Sequence, residues 1–259
     1  MIFFTDLIQA TGPSTVSPAQ GGVFFLQSGT GGGVTNNSTA VFAVFGITAA
    51  HGICSLNTGT TSNTTAYSGL CTALNILPGL PTPSTGLVTK YEYEALIRTD
   101  TFIFDGSTRW GLIRLGFMQS VSGTPTDGVY FEFVSDGTTT DTTWNIVFRS
   151  SAVSQSRVNT GVTYAASKTY RMYLCVEVSL DGTYTTTYKI KNLTDNTNTE
   201  STASPSNNSF YPTATTDYMG PAITVLKQGV ATINSTSVYI DYIACRIRRP
   251  LTREILIFS

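Results

Sequence analysis

Few residues in this chain are suited to chemistry. Its one histidine, His51, lies in a Gly/Ala context, with no partner at the spacing that a zinc site or a Cys–His nucleophile needs. Of the four cysteines, Cys175 (RMYLCVEV) and Cys245 (DYIACRIR) fall inside strand-like runs and read as small apolar packing residues. Cys54 and Cys71 bracket a polar stretch and can close a loop, although a chain made in the cytosol keeps such thiols reduced; whether they pair stays open. Carboxylates are sparse. Glu92 and Glu94 stand two apart, while Glu132, Glu177 and Asp241 are single acids on separate runs. Glycoside hydrolysis requires two facing carboxyls in a groove, one of them with a raised pKa. Sugar stacking needs a flat apolar ring, and Trp110, Trp144, Tyr91 and Tyr93 are the candidates. Their apolar neighbours make core packing the competing role. Tyr130, Tyr170, Tyr173, Tyr184, Tyr188, Tyr239 and Tyr242 are numerous enough that some face solvent, where they suit a glycan or a subunit contact. No metal or cofactor is expected.

The elements that must position these residues are strands. From Leu87 the hydrophobic period becomes two: in LVTKYEYEALIR, Tyr91, Tyr93, Ala95 and Ile97 share one face, with Lys90, Glu92 and Glu94 on the other. RWGLIRLGFM (109–118), GVYFEFVSD (128–136), TTWNIVFRSS (142–151) and RVNTGVTYA (157–165) continue the series. In TYRMYLCVEVSL-DG-TYTTTYKIKN (169–192), Asp181-Gly182 predicts a hairpin with a tight primed turn. A polar excursion at 194–217 precedes GPAITVLKQG (220–229) and TSVYIDYIACRIRR (236–249). At least eight short strands without an amphipathic helix predict an all-β fold of two packed antiparallel sheets.

Composition agrees. The 259 residues carry 12% charged side chains, against about 25% in average soluble proteins. Thr alone fills 44 positions, and Thr favours strands as Gly, Asn and Ser favour turns. Lys and Arg (15) nearly balance Asp and Glu (16), which argues against an electrostatic nucleic-acid partner. No run of about 18 apolar residues predicts a transmembrane helix. The opening MIFFTDLIQATG lacks a basic segment, so no signal peptide is expected. Without one, sequons such as those at Asn36, Asn63, Asn192, Asn207 and Asn234 carry little weight.

Residues 1–86 differ in texture. GTGGGVTNNST (29–39), NTGTTSNTTAYSG (57–69) and LPGLPTPSTG (77–86) separate the apolar islands GGVFFLQ and AVFAVFGI. The preferred reading is an N-terminal attachment or assembly portion ordered by its neighbours; the competing one is the loop-rich early half of a single sandwich. The sandwich proper spans 87–249, and 250–259 form a tail. That tail region, RIRRPLTREILIFS, holds arginines at 246, 248, 249 and 253, with Pro250 ending the strand. Exposed Ile255, Leu256, Ile257 and Phe258 would be a liability, so they are expected to be buried under the domain or against another subunit. Phe24, Phe25, Phe42 and Phe45 in the apolar islands are the other candidates for an oligomer interface.

In its last two-thirds the chain resembles the concanavalin-A-like lectin/glucanase jelly roll in the form found in tailed-bacteriophage virion appendages. The ordered set YEYEALIR, RWGLIRLGF, DGVYFEF, TTWNIVFRSS, NTGVTY, YRMYLCVEVSLDGTYTTTYKIKN, MGPAITVLKQG and YIDYIACRIR carries the likeness. The resemblance implies a module on the virion surface, a fibre, spike or capsid decoration, commonly trimeric, made in the host cytoplasm and contacting other virion proteins or host glycans. Hydrolases of that fold use Glu-x-Asp-x-x-Glu on one strand. Here Glu92-Tyr93-Glu94 lacks the central Asp and the third acid, and no Asp/Asn cluster suited to calcium is evident. The expectation is therefore a non-enzymatic virion structural protein assembling as a homo-oligomer, with no nucleic-acid partner and no membrane insertion. A glycan-binding adhesin is the alternative, and a glycoside hydrolase ranks third. In the Thr-rich loops 137–143 and 194–217, solvated surface is favoured over glycan hydrogen bonding.

Overall fold

The computed structural model describes residues 2–6, 24–29, 33–36, 54–59, 66–72, 80, 89–105, 108–136, 138–150, 154–179, 181, 183–213, 219–228 and 235–248. In order along the chain the strands are β1 (Ile2–Asp6), β2 (Phe24–Gly29), β3 (Gly33–Asn36), β4 (Cys54–Asn57), β5 (Tyr67–Thr72), β6 (Thr89–Thr99), β7 (Gly111–Met118) and β8 (Gly128–Ser135). They continue with β9 (Thr143–Ser150), β10 (Ser154–Thr163), β11 (Thr169–Val178), β12 (Tyr184–Asn192), β13 (Thr197–Ala203), β14 (Gly220–Lys227) and β15 (Ser237–Arg248). Sheet A runs β13-β12-β11-β6-β15-β4-β3, with β1 also paired to β15; sheet B runs β10-β9-β8-β7-β14-β5-β2. All the pairings between these strands are antiparallel. This is the two-sheet sandwich that the alternating runs predict.

The core lies between the sheets because each strand sends alternate residues inward. On β6, Tyr91, Tyr93, Ala95 and Ile97 are buried, while Lys90, Glu92 and Glu94 are half-buried on the opposite face. Tyr91 and Tyr93 meet Phe117 of sheet B edge-on at 6.1 and 5.9 Å, and the Tyr93 hydroxyl donates to the Ala222 carbonyl oxygen at 3.2 Å. At one end Trp144 packs at right angles to Tyr164, with centroids 5.3 Å apart, and borders Phe133 and Tyr170. Each such side chain contributes about 1.5–3 kcal/mol over exposure.

Three features differ from the sequence reading. First, the described strands of residues 1–86 belong to the same two sheets: β4 pairs with β15, β3 with β4, β5 with β14, and β2 with β5. The early part of the chain thus extends the sandwich, because β14 and β15 would otherwise leave unpaired edges. Second, the polar stretch at 194–217 contains β13, paired with β12 from Thr197 to Ala203. It is an edge strand whose side chains are nearly all exposed, so it has no apolar alternation to detect; its β-branched threonines suit the conformation. Third, Val178 faces Tyr184 and the Ser179 N–H donates to the Thr183 oxygen. The Ser179–Thr183 bond encloses three residues, 180–182, one more than the two of the expected tight primed turn.

Sheet B is closed on its outer side over its middle strands. Strands β7, β8 and β14 are buried along their whole length. Val121 packs with Met118, Tyr130, Val147 and Ala222 in an apolar cluster separate from the core. Thr224 Oγ1 donates to the Val121 oxygen at 2.7 Å and Arg114 Nη1 to the Gly123 oxygen at 2.8 Å, holding the 119–127 segment across the sheet. Under it lies an ion-pair network. Arg114 Nε sits 2.6 Å from Glu132 Oε2, its cross-strand neighbour, with both side chains about 5–6% exposed. Arg157 bridges Glu132 (3.4 Å) and Asp141 (2.6 Å).

Candidate functional site

The open polar face is the outer face of sheet A. There β6 lies between β11 and β15, and the registers decide what meets: Glu92 stands opposite Cys175 and Arg246, and Glu94 opposite Tyr173 and Ala244. Small residues at 175 and 244 leave a gap among long neighbours, a cleft of about 320 Å³ lined by Glu92, Glu94, Arg171, Tyr173, Tyr242 and Arg246. A bulge in β15 between Ile240 and Tyr242 shifts the register, so Tyr242 shares this face with Ala244 and Arg246 while Ile243 and Cys245 turn inward.

Both carboxylates are held in place. Glu92 Oε1 accepts from the Tyr173 hydroxyl at 3.0 Å, and its Oε2 accepts from Arg248 Nε at 2.7 Å. Glu94 Oε1 accepts from Arg171 Nε at 2.6 Å and from the Tyr242 hydroxyl. Burial pushes the Glu94 carboxyl up, but hydrogen bonds from Arg171 and Tyr242, with the Arg171 charge, outweigh it and leave the group below its ordinary value. Burial, with Cys175 and the Glu92 carboxylate, pushes the Tyr173 phenol well above its usual range. Burial and Glu94 do the same for Tyr242. Both phenols are therefore hydrogen-bond donors at neutral pH, and both rings stay half-exposed on the cleft wall.

The residues predicted from sequence to stack on a sugar do not converge here. Tyr91, Tyr93 and Trp144 have no exposed surface and pack between the sheets, so that role is corrected: a ring buried on both sides cannot receive a ligand. Trp110 is half-buried just before β7, apart from the cleft. Phe24 and Phe25 lie on β2, with only their backbone described; Phe42, Phe45, Ile255, Leu256, Ile257 and Phe258 lie outside the described residues, as does His51. Cys54 is on sheet A and Cys71 on sheet B, with side chains outside the described set. Cys175 and Cys245 are buried free thiols; burial raises both, Cys245 to about 12. The Thr138–Thr140 stretch is exposed. Sequence reasoning placed Glu92 and Glu94 correctly on the non-core face but did not join them to Arg171, Tyr173, Tyr242 and Arg246. The alternation within each strand offered that signal; the register between strands is not written in it.

Two-carboxylate hydrolysis finds little support in this geometry. Residues two apart on a strand are about 6.7 Å apart at Cα, yet Glu94 is pulled toward ionisation rather than held protonated as a general acid requires. Glu132 and Asp141 come together only around Arg157, and with Arg114 also paired to Glu132 two cations balance the two acids. Among the described residues no three His, Cys, Asp or Glu side chains gather as a metal site, and no helix is long and apolar enough to cross a membrane.

The sequence matches no family model and no curated protein. Solved structures do match. Peanut lectin, bound to a nine-residue peptide, superposes with a TM-score of 0.57 at 12% identity, covering 97% of this chain and 99% of its own. Lectin UEA-II, complexed with galactose, gives 0.54 at 12% identity, with 96% and 98% covered. An endo-β-1,4-glucuronan lyase from the fungus Trichoderma reesei gives 0.51 at 11% identity, with 85% and 89% covered. At such identities the likeness concerns fold alone. The chain has the all-β, two-sheet antiparallel sandwich of the concanavalin-A-like jelly roll.

Proposed function

We propose that this protein is a non-catalytic glycan-binding domain whose site is the cleft on the outer face of sheet A. The observation that carries this reading is the pairing of two half-exposed tyrosine rings with carboxylates fixed by arginines on three adjacent strands. A sugar presents an apolar C–H face and a rim of hydroxyls; aromatic walls suit the first, and oriented acceptors and donors suit the second. The sites are rigid because their side chains come from a sheet rather than from loops. The depressed Glu94 carboxyl favours binding over acid catalysis. Lectins among the similar folds support the same reading.

The finer setting, a homo-oligomer on a phage virion surface where the domain contacts other virion proteins and host glycans, rests on the sequence resemblance and on the apolar residues 255–258. Light scattering tests the assembly: a stable monomer at micromolar concentration overturns it. A glycan array tests the binding, with Tyr173→Ala and Tyr242→Ala as controls. Binding lost in both variants is the expected result, and no binding to any glycan by the parent refutes the proposal.

A further inference from the structure

Among the described residues, the ion pairs at the cleft leave one arginine over. Glu92 and Glu94 are the acids of its lining and Arg171 and Arg246 the arginines; Arg248 reaches Glu92 from outside the lining, and Asp6 of β1 stands opposite Tyr242 in the ladder. Glu94 is engaged by Arg171, and Glu92 by Arg248 and Tyr173. Arg246 faces Glu92 directly across the β6–β15 ladder, yet the Glu92 oxygens are already committed to partners from β11 and from the far end of β15. Among the described residues Arg246 has no ion pair, although it lines the cleft and is half-buried there. A guanidinium is always charged and offers a planar fork of donors matched to a carboxylate. On its own face of β15 its neighbours are the small Ala244 and Arg248, which is turned to Glu92, and across the β1–β15 ladder it stands opposite Ile2.

We infer that the cleft selects a sugar bearing a carboxylate, with that group paired bidentately to Arg246 and the ring lying against Tyr173 and Tyr242. This rests on the glycan-binding reading and adds the ligand class. Uronic acids and sialic acids share this chemistry. A neutral sugar has hydroxyls for the same walls but leaves Arg246 unmatched, so the acidic form binds more tightly. Glu92 and Glu94, being tied to their own cations, repel the ligand less than free carboxylates would.

Calorimetric titration of the full chain with two matched pairs tests this: trigalacturonate against its carboxyl-reduced counterpart, and sialyllactose against lactose. The acidic member of at least one pair is expected to bind about tenfold or more tightly than its neutral partner, and the pair that shows the preference identifies the source. Raising salt from about 50 to about 500 mM should erode that preference and spare neutral binding. Arg246→Gln should bring the acidic sugar down to the neutral affinity, and Arg246→Lys, which keeps charge without the fork, should fall between. Unchanged melting temperatures establish that both variants fold, and if the Gln variant does not fold the Lys variant and the salt series still decide. Equal affinity within both pairs, or a preference that survives Arg246→Gln, overturns this inference while glycan binding stands. No binding by any of the four sugars defeats both.

Discussion

Replacing Glu132 with Ala removes the carboxylate on which the covered side of sheet B depends. Its oxygens lie 2.6 Å from Arg114 Nε and 3.4 Å from Arg157 Nε, and the Arg114 and Glu132 side chains are only 5% and 6% exposed. Arg157 keeps Asp141 at 2.6 Å and is a quarter exposed, so water offsets much of its loss. Arg114 keeps the Gly123 carbonyl oxygen and the face of the Tyr130 ring, 5.8 Å from its centroid, but no acid. Breaking a buried pair by removing one partner costs about 3–5 kcal/mol because the survivor is left charged and dry. With Arg157 discounted, the lower end, about 3 kcal/mol, is expected. That is a large share of a domain stability of about 5–15 kcal/mol. Arg114→Met alone should cost a similar amount, leaving Glu132 with the longer Arg157 contact. The double variant Arg114→Met, Glu132→Leu fills the same space with apolar atoms and should cost far less than the sum, giving a coupling of about 3 kcal/mol or more. Urea unfolding followed by far-ultraviolet circular dichroism measures all three. Single variants losing less than about 1 kcal/mol, or an additive double variant, would refute the reasoning. The sugar binding proposed for the cleft should be unaffected throughout, since the cleft is on the other sheet.

Further outcomes follow from other parts of the molecule. Trp144→Ala empties the space between Phe133, Tyr164 and Tyr170 and should cost about 3–5 kcal/mol by the same unfolding assay. Gly116→Ala should destabilise by more than about 1 kcal/mol: the residue has φ of +146°, and an added Cβ would come 2.7 Å from Tyr130 Cα. Glu94 has a folded pKa below its ordinary 4.5, so its pairing stabilises the fold above that value and is lost as pH falls through the lower folded value. Glu94→Gln should flatten this part of the acid limb of a melting-temperature profile; an unchanged limb would exclude the Arg171–Tyr242 contribution.

The period-two runs made the strands legible because a half-buried sheet leaves its trace in single residues: Tyr91 in, Glu92 out, Tyr93 in. The same rule failed on β13, where Thr197 to Thr202 have no inner face, and on β7 and β8, where both faces are covered and Arg114 and Glu132 look like surface charges. The tyrosines show the limit most plainly. Nothing local separates Tyr93, sealed against Phe117, from Tyr173, half-open beside Glu92, except which face of its own strand it occupies. The site was legible in parts, as acids on β6 and basic residues in β15, but not as an ensemble. Its assembly depends on β6 pairing simultaneously with segments some 80 and 150 residues further along the chain.

That long-range assembly has a consequence for biosynthesis. A ribosome delivers β6 and β11 well before β15, so Glu92 and Glu94 emerge without Arg246, Arg248 or Tyr242, and a nascent chain cannot engage a ligand at this cleft. Distant pairings of this kind also slow folding, because ordering the intervening chain precedes the contacts that reward it. Binding at the proposed site would thereby be restricted to molecules in which β15 has docked, and a ligand that fits the cleft would report that this pairing is complete.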